Sequence, residues 1–151
     1  MSDAPRLRAI AAAAFGPFTA QIGRAPAPMS MDFEAAIAAG HALVAHGESE
    51  GALFGYAICY RDSDRPSALH INSVAVDPAA QGGGIGRGLI AACEEMAHAG
   101  GFRLVTLYTN EAMTGALALY PRLGYREIHR GLELGFRRVY FEKTLRAEEG
   151  A

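Results

Sequence analysis

The segment His70-Ile71-Asn72-Ser73-Val74-Ala75-Val76-Asp77-Pro78-Ala79-Ala80-Gln81-Gly82-Gly83-Gly84-Ile85-Gly86-Arg87-Gly88 changes its pattern twice. Branched and apolar residues fill Ala68 to Val76, and a period of two puts His70, Asn72 and Val74 on one face of a strand. Asp77-Pro78 stops that strand. A glycine-rich turn then opens a helix to about Ala99, with Ile85, Leu89, Cys93 and Met96 on one face. Glycines at a strand-to-helix turn let the backbone approach an anion without interference from Cβ. The helix start adds free N–H groups and the positive end of a dipole. Together they describe a cradle for a pyrophosphate; a turn that only redirects the chain is the plainer alternative. A Walker loop needs Gly-Lys-Ser/Thr, and the only lysine is Lys143. The run Gly86-Arg87-Gly88-Leu89-Ile90-Ala91 fits the dinucleotide pattern, with Glu111 at about the expected distance. That turn follows its strand directly, however, whereas nine residues separate Val76 from Gly86.

On the N-terminal side, Leu7, Ile10, Ala14 and Phe18 recur at helical spacing, with Ala11 and Phe15 beside them. Asp3 is the expected capping carboxylate, with Pro5 in the first turn. Arg6 and Arg8 before the alanine-rich run could suggest a signal peptide, but the run is short and its periodicity favours an amphipathic helix. Gly16-Pro17 punctuates, Gly23 to Ser30 is a proline-rich connector, and Met31 to Ala39 reads as a short helix. His41 to His46 and Ala52 to Tyr60 are expected to form a hairpin about a Gly47–Gly51 turn, and Arg61 to Ser67 is a loop. Beyond the long helix, Leu104 to Thr109 reads as a strand, Met113 to Leu123 as a helix closed by Gly124. Tyr125 to Arg130 and Phe136 to Leu145 are two strands joined around Gly131–Gly135. The order predicts an α+β fold: a mixed, mostly antiparallel sheet, flanking helices and one β-α-β crossover.

The 151 residues suit one domain, expected over residues 4–145 with a polar tail at 146–151. Half of the residues are hydrophobic, a fifth are charged and the net charge is -2, which gives no electrostatic footprint for nucleic acid or an anionic membrane. No run approaches the ~18 apolar residues of a membrane span. Cys59 and Cys93 fall on apolar stretches without paired spacing, so both are expected to be buried thiols. No metal is expected, and the expected compartment is a reducing cytoplasm. His41, His46, His98 and His129 show no metal spacing and read as surface or loop residues.

Gln81-x-x-Gly84-x-Gly86, four residues after a strand ending Val-Ala-Val, resembles the coenzyme A pyrophosphate loop of the GNAT superfamily of N-acetyltransferases. Leu119-Tyr120-Pro121-Arg122-Leu123-Gly124-Tyr125 resembles that family's second signature. The resemblance implies acetyl-CoA as acyl-donor cosubstrate. It assigns Val74, Ala75 and Val76 to the pantetheine arm through their backbone, which can pair an extended amide as a sheet edge pairs a peptide. The Val74 N–H would face the thioester oxygen. Gly82, Gly83, Gly84, Ile85, Gly86 and Arg87 would wrap the pyrophosphate, with Gln81 flanking. Tyr120 resembles the general acid; a phenol with pKa ≈ 10 can donate to a thiolate of comparable basicity.

In this family two positions on the strand supply bases, and here they hold His70 and Asn72. Histidine titrates near neutrality, which makes His70 the expected base, with Glu111 as second candidate or a water relay; a structural hydrogen bond at a strand end is its alternative role. Where the family often carries Asn, this chain has Met113, and Asn110 nearby is the expected substitute for a cofactor contact. The fold usually begins with a strand before the first helix, and here that edge strand is missing from the pattern. An uncovered edge invites pairing with another chain, so a homodimer is allowed.

The resemblance implies a cleft between the Ala68–Val76 and Leu104–Thr109 strands and direct transfer of acetyl to an amine. The acceptor is expected to be a small molecule, bordered by Phe15, Phe18, Met29 and Phe33 and by Gly131–Gly135. A protein N-terminus or lysine is a second acceptor class. A noncatalytic acyl-CoA sensor is the rival that needs neither Tyr120 nor His70.

Overall fold

The computed structural model describes residues 3–47 and 52–145. Most of the Gly47–Gly51 turn and the tail 146–151 therefore lie outside the described residues. The elements in chain order are α1 (Ala4–Phe15), α2 (Thr19–Ile22), α3 (Phe33–Ala38), β1 (Ala42–His46), β2 (Leu53–Arg61), β3 (Ala68–Val76), α4 (Ile85–Ala99), β4 (Leu104–Asn110), α5 (Thr114–Arg122), β5 (Arg126–Glu133) and β6 (Phe136–Thr144). They build a six-stranded sheet in the order β1-β2-β3-β4-β6-β5. β3 and β4 pair in parallel, Ala68 opposite Leu104 through Ile71 opposite Leu107, and the chain crosses between them through α4. The neighbours β1–β2, β4–β6 and β5–β6 are antiparallel. Among the described residues no strand precedes α1. No helix among them is long and apolar enough to cross a membrane.

The chain divides into two compact units. One comprises the chain through Cys59 together with Asn72–Cys93. Its core takes Leu7, Ile10 and Ala11 from α1, Phe33 and Ala36 from α3, Tyr56 and Ile58 from β2, and Leu89, Ile90 and Cys93 from α4. Phe33 meets Tyr56 edge to face at 5.3 Å, the favoured geometry for a ring pair. Gly55 is required by packing: a Cβ there would come within 2.9 Å of the Ala75 carbonyl and 3.1 Å of Leu89 Cδ1. Arg6 ties α1 to this core, donating to the Leu53 carbonyl and to Asp77 at 2.8 Å.

The other unit comprises Tyr60–Ile71 and the chain from Glu94 onward. Val105, Leu107, Val139, Phe141 and Tyr125 form its core. Glu94 accepts from the Tyr125 hydroxyl at 2.8 Å and pairs with Lys143 at 3.0 Å.

Several expectations are corrected. Asp3 does not cap α1 with its side chain: its backbone is helical (φ -81, ψ -3) rather than in the extended conformation of a capping residue, and Pro5 has no N–H to receive. On α4 the buried face runs through Leu89, Ile90, Cys93 and Ala97, while Met96 is 40% exposed. Continued i, i+4 steps from Cys93 reach Ala97, not Met96. Phe33 is fully buried against Tyr56, so it cannot border a substrate. The Gly131–Gly135 connection shrinks to the pair Leu134-Gly135, at φ 52 and 83, because β5 continues to Glu133. Two successive positive φ angles give the tight hairpin turn whose twist matches that of the strands. His129, expected as a surface or loop residue, is exposed on β5 with its ring 5.5 Å from that of Tyr140.

The Tyr56 hydroxyl and the Ser73 hydroxyl share a buried 2.9 Å hydrogen bond, and burial pushes the phenol up to about 12. Tyr56→Phe is expected to destabilise the protein by about 1–3 kcal/mol, since Ser73 would keep its desolvation without its partner. Tyr56→Phe combined with Ser73→Ala should recover most of that loss in urea denaturation; no recovery would mean that the bond is not the cause.

Candidate functional site

Of the cofactor residues expected from sequence, Val74, Ala75, Val76 and Gln81 to Arg87 belong to the first unit, and Asn110 and Tyr120 to the second. Ala75 is buried at the end of β3, with Val74 and Val76 half-buried beside it. Asp77 accepts from the Ala79 N–H at 3.0 Å and opens the single turn Pro78–Ala80. Arg6, the nearer cause, and Ala79 hold the Asp77 carboxyl below the usual carboxylate range. The Gln81 side chain donates to the Val76 carbonyl at 3.2 Å, drawing the turn back onto the strand end.

Gly82 and Gly84 follow at φ 94 and 82, both exposed, with nothing within 4 Å of the place a Cβ would take. Among the described residues, no backbone N–H from Gly82 to Arg87 donates to another backbone group. Ile85, Gly86 and Arg87 form the first turn of α4. These unspent donors at a helix start, approachable because two glycines hold the left-handed conformation, fit an anion of pyrophosphate size.

The second unit contains a cavity of about 380 Å³. His70 lines it from β3, Thr106 and Tyr108 from β4, Arg138 and Tyr140 from β6, and Asp62 from the β2–β3 loop. Thr106 Oγ1 donates to Asp62 Oδ2 at 3.4 Å, because a carboxylate can only accept. The hydroxyl proton is thereby spent, so the 3.0 Å contact between Thr106 Oγ1 and His70 Nδ1 runs from Nδ1–H to the oxygen. The chain Asp62–Thr106–His70 selects the tautomer with Nδ1 protonated and Nε2 carrying the lone pair. The loop itself is fixed by Asp62 Oδ1, which accepts from the Asp64 and Arg65 N–H groups at 2.9 and 3.3 Å.

The His70 ring stacks on Tyr108 at 5.4 Å and 28°, and lies 5.9 Å from Tyr60. Burial holds its pKa below 6.5, Asp62 opposing and Arg138 reinforcing. The imidazole is therefore neutral at pH 7.

Tyr120, half-buried on α5, lies against Tyr125 at 5.8 Å and Phe141 at 5.7 Å. Phe141 is also a wall of the His70 cavity. Asn110 ends β4 with its side-chain oxygen accepting from the Ala112 N–H at 2.9 Å, so its carbonyl shapes the turn into α5. Met113 is buried there and accepts from Thr109 Oγ1. Glu111 lines a different concavity with Arg130 and Arg137, and its carboxylate is 3.9 Å from Arg137. The structure does not bring it into the His70 cavity.

Asp62, Thr106, Tyr108 and Arg138 were not singled out by sequence. Their signal is faint: Thr106-x-Tyr108 and Arg138-x-Tyr140 alternate on β4 and β6, and the register sets Tyr108 opposite Tyr140. Nothing in Arg137-Arg138 says which arginine turns inward. Arg138 does, being 8% exposed with its guanidinium 4.1 Å over the Tyr108 ring.

The sequence model of the acetyltransferase (GNAT) family matches residues 7–125. A mycothiol acetyltransferase of Streptosporangium roseum is 48% identical over 52 residues, 34% of this chain and 15% of that protein. The N-alpha-acetyltransferase RimI of Mycobacterium tuberculosis is 34% identical over 110 residues, 72% of this chain and 64% of the relative. In both cases the match spans less than two thirds of the relative's length. Among solved structures, a ribosomal-protein-alanine N-acetyltransferase from Brucella melitensis superposes with a TM-score of 0.68 at 24% identity, over 95% of this chain and 94% of that one. That likeness is one of fold.

Proposed function

We propose, because this chain belongs to the GNAT acetyltransferase family, that it moves the acetyl group of acetyl-CoA directly onto the amine of a small molecule. The observation that carries this reading is the neutral His70, held by Thr106 and Asp62 in the tautomer that leaves Nε2 free, on the wall of a cavity of small-molecule size. The glycine turn Gly82–Gly84 and the first turn of α4 supply N–H groups for the pyrophosphate, and the backbone of Val74, Ala75 and Val76 supplies the partners for the pantetheine amides.

His70 Nε2 takes the proton of the ammonium, directly or through water, and frees the nitrogen lone pair. That nitrogen forms the new N–C bond at the thioester carbon while the Val74 N–H stabilises the charge on oxygen. The C–S bond breaks as the Tyr120 phenol gives its proton to the departing thiolate; the surplus proton on the acylated nitrogen returns through solvent to the phenolate, and His70 releases its own proton to solvent. Asn110 and Gln81 act by shaping the loops next to these groups.

A second reading, transfer to a protein N-terminus, is favoured by the 34% identity to RimI over 72% of the chain. The deciding experiment follows free coenzyme A with and without amines, in a panel that includes an alanine-starting peptide. Release that requires a small amine supports the proposal. Release only with the peptide moves the acceptor to protein, and tight acetyl-CoA binding with no amine-dependent release leaves a noncatalytic sensor.

The base gives a pH prediction. His70 accepts a proton only when neutral, so kcat/KM should rise with pH through an ionisation below 6.5 and level off above it. An acceptor's own ionisation adds a second limb, but that limb moves when an acceptor of different pKa is used and the enzyme's does not. His70→Gln should remove the fixed limb; its survival would put the base elsewhere. The stability sign is linked. Unfolded imidazole takes a proton near 6.5, whereas the folded one refuses it until lower pH. The contribution is therefore whole above about 6.5 and is lost as pH falls through the window down to the folded value.

A further inference from the structure

Arg138 is the only charged side chain buried among the described residues, and it lines the His70 cavity. A buried cation is costly unless closely paired. Its nearest carboxylate oxygen, Glu133 Oε2, is 3.9 Å away, and Glu133 is exposed at the end of the hairpin and also accepts from the Tyr140 hydroxyl. The Arg6, Arg8, Arg65, Arg126 and Arg130 pairs close to between 2.7 and 3.0 Å. Among the described residues, no buried side-chain nitrogen or oxygen lacks a partner. The guanidinium nitrogens that Glu133 and Tyr140 do not engage are therefore not sealed from solvent, and Arg138 stands on the cavity wall.

The guanidinium is also fixed in orientation. It lies 4.1 Å over Tyr108, whose ring stacks 5.4 Å from His70. A guanidinium held by its face presents its N–H edge sideways, the geometry that receives a carboxylate through two parallel bonds. Those two stacking distances laid end to end keep Arg138 within about 10 Å of the base. Of the three carboxylates on the cavity wall, Asp62 is spent on the loop N–H groups and Thr106 and Glu133 on Tyr140, while Asp64 contributes only its backbone N–H to that loop.

We infer that the acceptor is an amine that also carries a carboxylate, which Arg138 binds while His70 takes the amine proton. This rests on the transferase reading above and adds the substrate class. The test pairs amino acids of increasing amine-to-carboxylate separation, from glycine through β-alanine to 4-aminobutanoate and lysine, each with its primary amide. Every pair is assayed for acetyl transfer by the full chain.

For the best pair, the acid should exceed its amide in kcat/KM by on the order of 10²-fold, the scale of a lost partner in a buried charge pair. Arg138→Gln should collapse that ratio toward one, and Arg138→Lys should hold it at an intermediate value because it keeps the charge and loses the fork. The wild-type comparison stands even if the variants fold poorly. Equal turnover of acids and amides, or an undiminished ratio in Arg138→Gln, would overturn the carboxylate site and leave the transferase reading standing. Transfer to no amine at all, peptide included, would take both down.

Discussion

Glutamate at Gly84 is expected to abolish the thermal stabilisation that acetyl-CoA gives the wild-type protein. A ligand that binds only the folded state adds about 2.7 kcal/mol at a hundredfold excess over its dissociation constant, which moves the midpoint by several degrees in a chain of this length. The N–H groups from Gly82 to Arg87 are unspent on other backbone groups, and the space above Gly84 is empty of protein within 4 Å. A carboxylate there would meet the pyrophosphate with like charge and fill its seat. The substitution also forces a side chain onto a residue at φ 82, which by itself costs about 1–2 kcal/mol. Gly101→Glu is the matched control. That glycine has φ 78 and nothing within 4 Å, but it lies just past the far end of the fifteen-residue helix α4. Both variants should lose similar intrinsic stability, and only Gly84→Glu should lose the response to acetyl-CoA. An undiminished response in Gly84→Glu would remove this loop from the cofactor site.

Tyr120→Phe should lower kcat by about 10²–10⁴-fold, the range of general acid catalysis, with acetyl-CoA affinity nearly unchanged. The separation is expected because the ring keeps its contacts with Tyr125 and Phe141, and only the proton donor is lost. Expulsion of a thiolate needs that proton, whereas binding of the cofactor does not. A variant with wild-type kcat would return Tyr120 to a packing role, and one with weakened affinity would make it a binding residue.

The glycine turn and the strand before it could be read from the sequence because their signals are local. Alternation along Ala68–Val76, a proline stop and glycines before an apolar helical face need no knowledge of distant residues, and the strand bounds agree with the structure to the residue. The wall of the His70 cavity is different. Asp62, Thr106 and Arg138 come from three separate stretches, and only the registers of β3 with β4 and of β4 with β6 make them neighbours. Thr106 opposite His70 follows from the parallel register; a shift of one residue would have placed Val105 or Leu107 there. Tertiary context also overrode two local signals. Asp3 looks like a helix cap but adopts helical backbone angles, and Phe33, expected to border the acceptor, is buried edge to face against Tyr56. Asn110 sits where the sequence suggests a cofactor contact, and its oxygen is committed to a turn.

The ion pair between Lys143 and Glu94 has a practical consequence. Lys143 is the only side-chain primary amine the sequence carries, and it is engaged at 3.0 Å with its side chain 29% exposed. A protein whose family modifies amines thus offers almost no lysine of its own to label. In a mass spectrum of the incubated protein, self-modification at lysine is confined to one residue, and an acetyl group there reports opening of the Glu94 pair. Amine-reactive dyes and crosslinkers will find the same single lysine, so attachment to a surface or a probe is better directed through a lysine introduced by design.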